Sequence, residues 1–373
     1  MSLFKKMTEE SKQQRVRVYT EWAPLQEIII GSCVNFNMEG LDTTFRFMYE
    51  NRDGKFADRN KPHRIDPKYV AERQEDLDGL QTLLEKEGVT VRRPKRLVKV
   101  QAVRTPNFSS YTTGCDSPRD TFFCVGNQVI ESPPTNRKRY FEHLLLKDIF
   151  MDYFRAGAKW VVTPRPSLED GALDFSFWKD NLKDPIRSPE SIEPNYEIAF
   201  DVANCLKFGK DIVMNVGTKN HELGAVWMQR QLEPDFKVHP IRLCDTHIDG
   251  HFVPIAPGRL LVNEGAMHGY YDRLPEALKR WDRIPILDKS TNFDYPDDHL
   301  QMATNVGMSV NVVSLDEKRI LIRNTAELTI KALERAGFTP IPVRLRHSEL
   351  FGGGIHCSTV DVRRKEENAD YFS

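Results

Sequence analysis

No C-x-x-C pair occurs among the six cysteines, and Cys33, Cys115, Cys124, Cys205, Cys244 and Cys357 stand far apart. That excludes zinc-ribbon and dithiol redox spacing, and dispersed thiols fit a reducing, cytoplasmic compartment. A surplus of one charge is also missing. With 53 Lys and Arg against 54 Asp and Glu, the net charge is −1 and no long block of one sign occurs, so small molecules rather than nucleic acid are the expected partners. No apolar run approaches the roughly 18 residues of a membrane span. The first residues, MSLFKKMTEESKQQRVRV, lack the apolar core and cleavage site of a signal peptide and read as a flexible arm over 1–18. The glycine-rich βα turn of a dinucleotide-binding fold is absent as well.

What is present is a repeat. At 373 residues, 40% hydrophobic and 29% charged, the chain has room for two domains or one large closed architecture. A helix-like segment, a Gly or turn stop and a β-rich run recur five times. In QEDLDGLQTLLEKEGVTVRRP, Leu77, Leu80 and Leu84 share a helical face, Gly88 suits the position just past the helix, and VTV reads as a strand. RKRYFEHLLLKDIFMDYFRAGAKWVVTP stops at Gly157, and AELTIKALERAGFTPIPVRL stops at Gly337. Two further copies are ELGAVWMQRQLEPDFKVHPIRL and LPEALKRWDRIPIL. Short apolar runs precede them: EIIIG, TFFCVGNQVIE, DIVMNV, GRLLVNEG and RILIRN, with HFVPIA, MSVNVV and STVDV as further candidate strands. Strand–helix–strand units in this number point to a radial arrangement. The Pro-rich, acidic insertion at 163–198 reads as a surface loop that frames a site.

Two segments concentrate chemistry. In FGGGIHCSTVDVRR, three glycines allow close backbone approach or positive φ, and Cys357 follows where a strand should begin, as a nucleophile or as a core thiol. In CDTHIDGHF, an extended backbone would project His247 and Asp249 to one face, an acid/base unit. A metal site of Asp245, His247, Asp249 and His251 carries less weight, because i, i+2 ligands on a straight strand lie nearly 7 Å apart. Asp120 and Asp201, at the ends of apolar runs, read singly as turn or cap residues.

Together the blocks EWAPLQEIIIG, SPRDTFFCVGNQVIE, FDVANCLKFGKDI, ELGAVWMQ, THIDGHFVPIAPGRLLVN and GGGIHCSTVDVRR resemble the amidinotransferases, from about Tyr19 to Arg364. The relevant members are the arginine:glycine enzyme of creatine biosynthesis and the arginine:inosamine-phosphate enzyme of streptomycin biosynthesis. The resemblance implies the pentein α/β propeller, five ββαβ units about a pseudo-fivefold axis, as one catalytic domain over 19–373. It implies Cys357 as nucleophile, His247 as general acid/base, Asp201 as the carboxylate orienting it, and Asp120 with Asp249 as the pair holding the donor guanidinium. It further implies transfer from L-arginine through an amidino-cysteine with release of ornithine, ping-pong kinetics, and neither cofactor nor metal. A deiminase of the same fold is the alternative. A homodimer is left open.

The resemblance also shows departures from the glycine enzyme. The loop before His247 is shorter, and Thr246 replaces a methionine. Thr304 and Asn305 replace two serines that help hold the donor carboxylate, and Ala266 replaces an arginine with the same task. An opened mouth implies an acceptor larger than glycine. Asp245 in that loop favours a cationic amino acid, so the expectation is lysine, giving homoarginine as in phaseolotoxin assembly, with an inosamine phosphate as the alternative.

Overall fold

A computed structural model describes residues 15–39, 42–45, 64–132, 134–175, 184–243, 247–287, 295–296, 299, 301–302 and 305–373. β1 (Leu25–Ile30) leads through the helix Pro67–Lys86 to β2 (Thr90–Arg92), which returns parallel to β1. The hairpin β3 (Ala102–Arg104) and β4 (Ser109–Tyr111) interrupts the series. Three complete units follow. In the first of them, β5 (Phe122–Val125) and β6 (Gln128–Glu131) pair antiparallel, and the helix His143–Arg155 brings β7 (Lys159–Val162) back parallel to β6. The next has β8 (Cys205–Phe208), β9 (Asp211–Asn215), the helix Lys219–Leu232 and β10 (Lys237–Ile241). The third has β11 (Phe252–Ala256), β12 (Arg259–Asn263), only four helical residues at Glu276–Lys279, and β13 (Asp282–Ile286).

A fourth unit has β14 (Val313–Ser314), β15 (Arg319–Arg323), the helix Glu327–Arg335 and β16 (Thr339–Val343). The fifth is completed by β17 (Thr359–Arg364), which pairs antiparallel with β1 and so supplies that unit's missing first strand. These five ββαβ units make the pentein α/β propeller.

Local chemistry explains the repeat. Asp66 caps the Pro67–Lys86 helix by accepting from the Lys68 N–H, Pro67 fits its first turn, and Leu77, Leu80 and Leu84 are buried. The helix stops where Gly88 takes φ +80°, and Gly157 (+92°) and Gly337 (+86°) serve two other units in the same way. Apolar sectors lie between neighbouring units. In one of them Ile29, Val360 and Val362 meet Phe122, Leu146 and Phe150.

Val16 and Val18 are fully buried, and the Arg17 N–H donates to the Val362 carbonyl. The folded body therefore begins before residue 19, which corrects the boundary of the expected arm; residues 1–14 lie outside the described residues. The described parts of the 163–198 insertion pack Leu168 and Leu173 with Phe108 and Ala199 in a separate small apolar cluster. No helix among the described residues is long and apolar enough to cross a membrane.

First strands of neighbouring units abut where β17 meets β5 and where β11 meets β8 and β14. Inside this ring Lys207 of β8 lies 2.7 Å from Glu21 and 3.4 Å from Asp361 of β17. Arg119 (2.8 Å) and Arg364 (3.1 Å) also reach Asp361. All five side chains are buried.

Candidate active site

Every unit delivers a polar residue from the turn just before its first strand. Asp120 ends a single 3-10 turn ahead of β5, Asp201 opens one ahead of β8, and His247 and Asp249 open and occupy another ahead of β11. Asn311 precedes β14, and Cys357 precedes β17. Because the units are related by the pseudo-fivefold axis, equivalent turns converge on one end of it.

Cys357, 3% exposed, donates through Sγ to Asp249 Oδ2 at 3.3 Å. Asn311 brackets it: Nδ2 donates to Sγ at 3.2 Å, and Oδ1 accepts from the Cys357 backbone N–H at 3.1 Å. Asp249 Oδ2 also takes His356 Nδ1 at 2.8 Å. His247 Nε2 meets Asp201 Oδ2 at 3.1 Å, while its Nδ1 faces Asp120 Oδ1 at 3.6 Å. Asp201 is fixed from behind by the Thr135 backbone N–H (3.2 Å) and hydroxyl (3.1 Å). Asp120 Oδ2 is paired with Arg139, itself held by both oxygens of Glu142 at 2.7 and 2.8 Å. Asp120 Oδ1 is buried and has no hydrogen bond among the described residues.

The glycines before Cys357 are required by packing. A Cβ on Gly353 would stand 2.6 Å from Ser117 Oγ and 3.1 Å from Cys357 Cβ, and one on Gly354 would stand 2.5 Å from Asn311 Oδ1. Arg73 locks the same turn from the long helix, donating to the Gly353 carbonyl (2.9 Å), Ser358 Oγ (2.7 Å) and Asp116 (3.0 Å).

Burial pushes the Cys357 thiol well above its usual range, and the Asp249 and Asp120 carboxylates add to the effect. Burial also holds the Asp120 carboxyl up, against the pull of Arg139 and His247. His247 behaves oppositely: although burial disfavours its charge, Asp120 and Asp201 raise it to about 9. Asp249, despite burial, is drawn down to about 2 by its hydrogen bond and charge interaction with His356. The arrangement offers a neutral thiol, a protonated imidazole and carboxylates on two sides, a setting for a planar cation with several N–H donors.

The structure brings Cys357, His247, Asp201, Asp120 and Asp249 together. It corrects the reason offered for one pair: His247 and Asp249 do not share a strand face but flank a 3-10 turn, so His247 turns to Asp120 and Asp201 while Asp249 turns to the sulfur. Asp201 caps nothing with its side chain. Asp245, Thr246 and Thr304 lie outside the described residues, as does the side chain of Asn305, whose backbone opens the short helix Asn305–Met308. Asn311, Arg139, Thr135 and His356 were missed. Asn311 was discoverable, since in MSVNVV it holds the place before its strand that Asp120 and Cys357 hold before theirs.

No family model matches the sequence. Individual proteins do. The inosamine-phosphate amidinotransferase 1 of Streptomyces glaucescens is 35% identical over 360 residues, 94% of this chain and 97% of that protein. The chain belongs to the amidinotransferase family. It is a transferase, and a second relative, the L-arginine:L-lysine amidinotransferase of Pseudomonas savastanoi pv. phaseolicola, is 32% identical over 95% of the chain and 96% of that protein. Among solved structures, an amidinotransferase from Microseira wollei in the saxitoxin biosynthetic pathway superposes with a TM-score of 0.81 at 32% identity, covering 96% of this chain and 100% of that one. A dimethylarginine dimethylaminohydrolase structure, at 15% identity and a TM-score of 0.54, shares the fold alone.

Proposed function

We propose that this amidinotransferase moves the amidino group of L-arginine onto Cys357, releases ornithine, and passes the group to the side-chain amine of L-lysine, forming homoarginine. The observation that carries this reading is the buried sulfur 3.3 Å from Asp249, in a site where, among the described residues, Asp120 keeps one oxygen without a hydrogen bond. A guanidinium spanning those carboxylates would satisfy them and present its central carbon to Sγ. Its charge would also offset the carboxylates that keep the thiol protonated, so the thiol proton leaves to solvent as the donor binds.

The thiolate then forms a C–S bond to that carbon. Protonated His247 gives its proton to the departing nitrogen, the C–N bond breaks, ornithine leaves as the amine, and a cationic amidino group stays on sulfur. The acceptor enters as its free amine and attacks the same carbon. Neutral His247 takes the amine's proton, the C–S bond breaks, and the thiolate returns. Asp201 holds the imidazole in place for both halves, and a single site used twice gives ping-pong kinetics.

Lysine as acceptor is supported by the charge of Asp245 in the loop before His247 and by the name of the second relative. Inosamine phosphate is the second reading, favoured by the name of the first. The saxitoxin-pathway neighbour supports a setting in toxin or antibiotic biosynthesis, and the dispersed thiols support a cytoplasmic one. The test is incubation with arginine and a panel of lysine, glycine and inosamine phosphate, with products and the Cys357 peptide identified by mass. Homoarginine with an amidino adduct on Cys357 is expected. Faster turnover of inosamine phosphate would sink the lysine assignment, and citrulline as the only product would sink the transfer mechanism.

A further inference from the structure

Ala266 stands where the resemblance expects an arginine for the donor carboxylate. It lies in the short helix Glu264–Met267, its N–H bonded to Asn263, and offers no charge. A suitable cation occurs elsewhere. A cleft reaches Asp120, and its ionisable lining residues are Asp116, Asp120, Lys138, Arg139 and Glu142. Four of these five are already paired, Asp116 with Arg73, and Arg139 with both Asp120 and Glu142.

Lys138 is different. Its side chain is buried, with 7% exposed, yet among the described residues Nζ donates only to neutral oxygens, Asn37 Oδ1 at 2.6 Å and the Glu39 carbonyl. No carboxylate among the described residues lies within 4.0 Å of it. An ammonium carries three hydrogens, so two are accounted for. Burial brings this amine down to about 7, and the more distant Glu39 and Asp42 only partly oppose it. Among the described residues the cleft thus has an Asp120 oxygen without a hydrogen bond and a Lys138 amine without a carboxylate partner. Arginine has the complementary pattern, a guanidinium at one end and a carboxylate at the other.

We propose that Lys138 holds the α-carboxylate of the amino acid in this cleft, the donor's in the first half-reaction and an amino-acid acceptor's in the second. This rests on arginine being the donor, as proposed above. The test compares arginine with agmatine, its decarboxylated form, and Lys138→Met with wild type. Binding is measured by calorimetry in a Cys357→Ala background, and Cys357 adduct formation separately by intact mass. Loss of one charge-assisted contact should weaken arginine binding roughly 10- to 100-fold, leave agmatine unchanged, and be partly restored by Lys138→Arg. Equal arginine affinity in Lys138→Met and its parent, or parallel losses for arginine and agmatine, would overturn the assignment. Discharge of the adduct by lysine should slow in Lys138→Met while discharge by cadaverine, which lacks the carboxylate, does not; equal slowing of both overturns the acceptor half. Failure of the underlying reading looks different, since it shows as no adduct on wild-type Cys357 with arginine.

Discussion

Two buried charge clusters lie close together in this molecule, and they are built on opposite rules. On the axis, Glu21 and Asp361 face Lys207, Arg119 and Arg364, and those cations hold both carboxyls below their usual range despite burial. At the site, Asp120 is raised, Cys357 is raised further, and one Asp120 oxygen has no hydrogen-bond donor among the described residues. The axial cluster is complete without a ligand; the site cluster is not. His356 touches both, with Nδ1 2.8 Å from Asp249 and Nε2 3.5 Å from Glu21. Charge satisfaction separates the residues that hold the propeller together from those left ready for a cation.

The comparison can be broken most severely at the sulfur. Cys357→Ala should abolish transfer while thermal unfolding stays near wild type; appreciable turnover by the variant would remove Cys357 from the chemistry. Asp201→Asn should slow both half-reactions by roughly 10²- to 10⁴-fold with arginine binding retained, because the carboxylate holds His247 charged and oriented. The same change has a pH signature. Since His247 is raised to about 9, adduct formation should fall as pH rises through that value, and Asp201→Asn should move the fall to lower pH. Stability linked to His247 follows the same sign: fully present below about 6.5, it is lost as pH rises through about 9.

Lys207→Met should do the reverse of Asp201→Asn. Removing one partner of a buried cluster costs about 3–5 kcal/mol in urea unfolding, with little effect on turnover by the folded fraction. A variant as stable as wild type would show that the axial charges contribute nothing. The smallest effect belongs to Asn311→Ala. Losing the Nδ2 hydrogen bond to sulfur should cost about 1 kcal/mol, read as a roughly fivefold slower adduct formation at unchanged arginine affinity. A loss of affinity instead would make Asn311 a substrate contact.

The repeat was legible because each unit announces itself locally. Leu77, Leu80 and Leu84 mark the buried helix face, and Gly88, Gly157 and Gly337 mark the stops. The pairing of β17 with β1 was not, since nothing near EIIIG says that its antiparallel partner is STVDV. The candidate-site residues were legible as residue types, Cys357, His247 and three aspartates, whereas their supports were hidden. Arg139 looks like one of three basic residues in RKR, yet the turn it stands in aims it at Asp120. His247 and Asp249 were paired through an extended backbone that the 3-10 turn replaces.

The pairing of β1 with β17 also orders events during synthesis. β1 leaves the ribosome before the other strands of the propeller, and β17, which covers its free edge, leaves after them, so four units can assemble while the fifth remains open. Cys357 sits two residues before that closing strand. A chain that ends before this segment carries the aspartates and His247 but neither Cys357 nor the His356 that holds Asp249, so the candidate site is complete only when the ring closes.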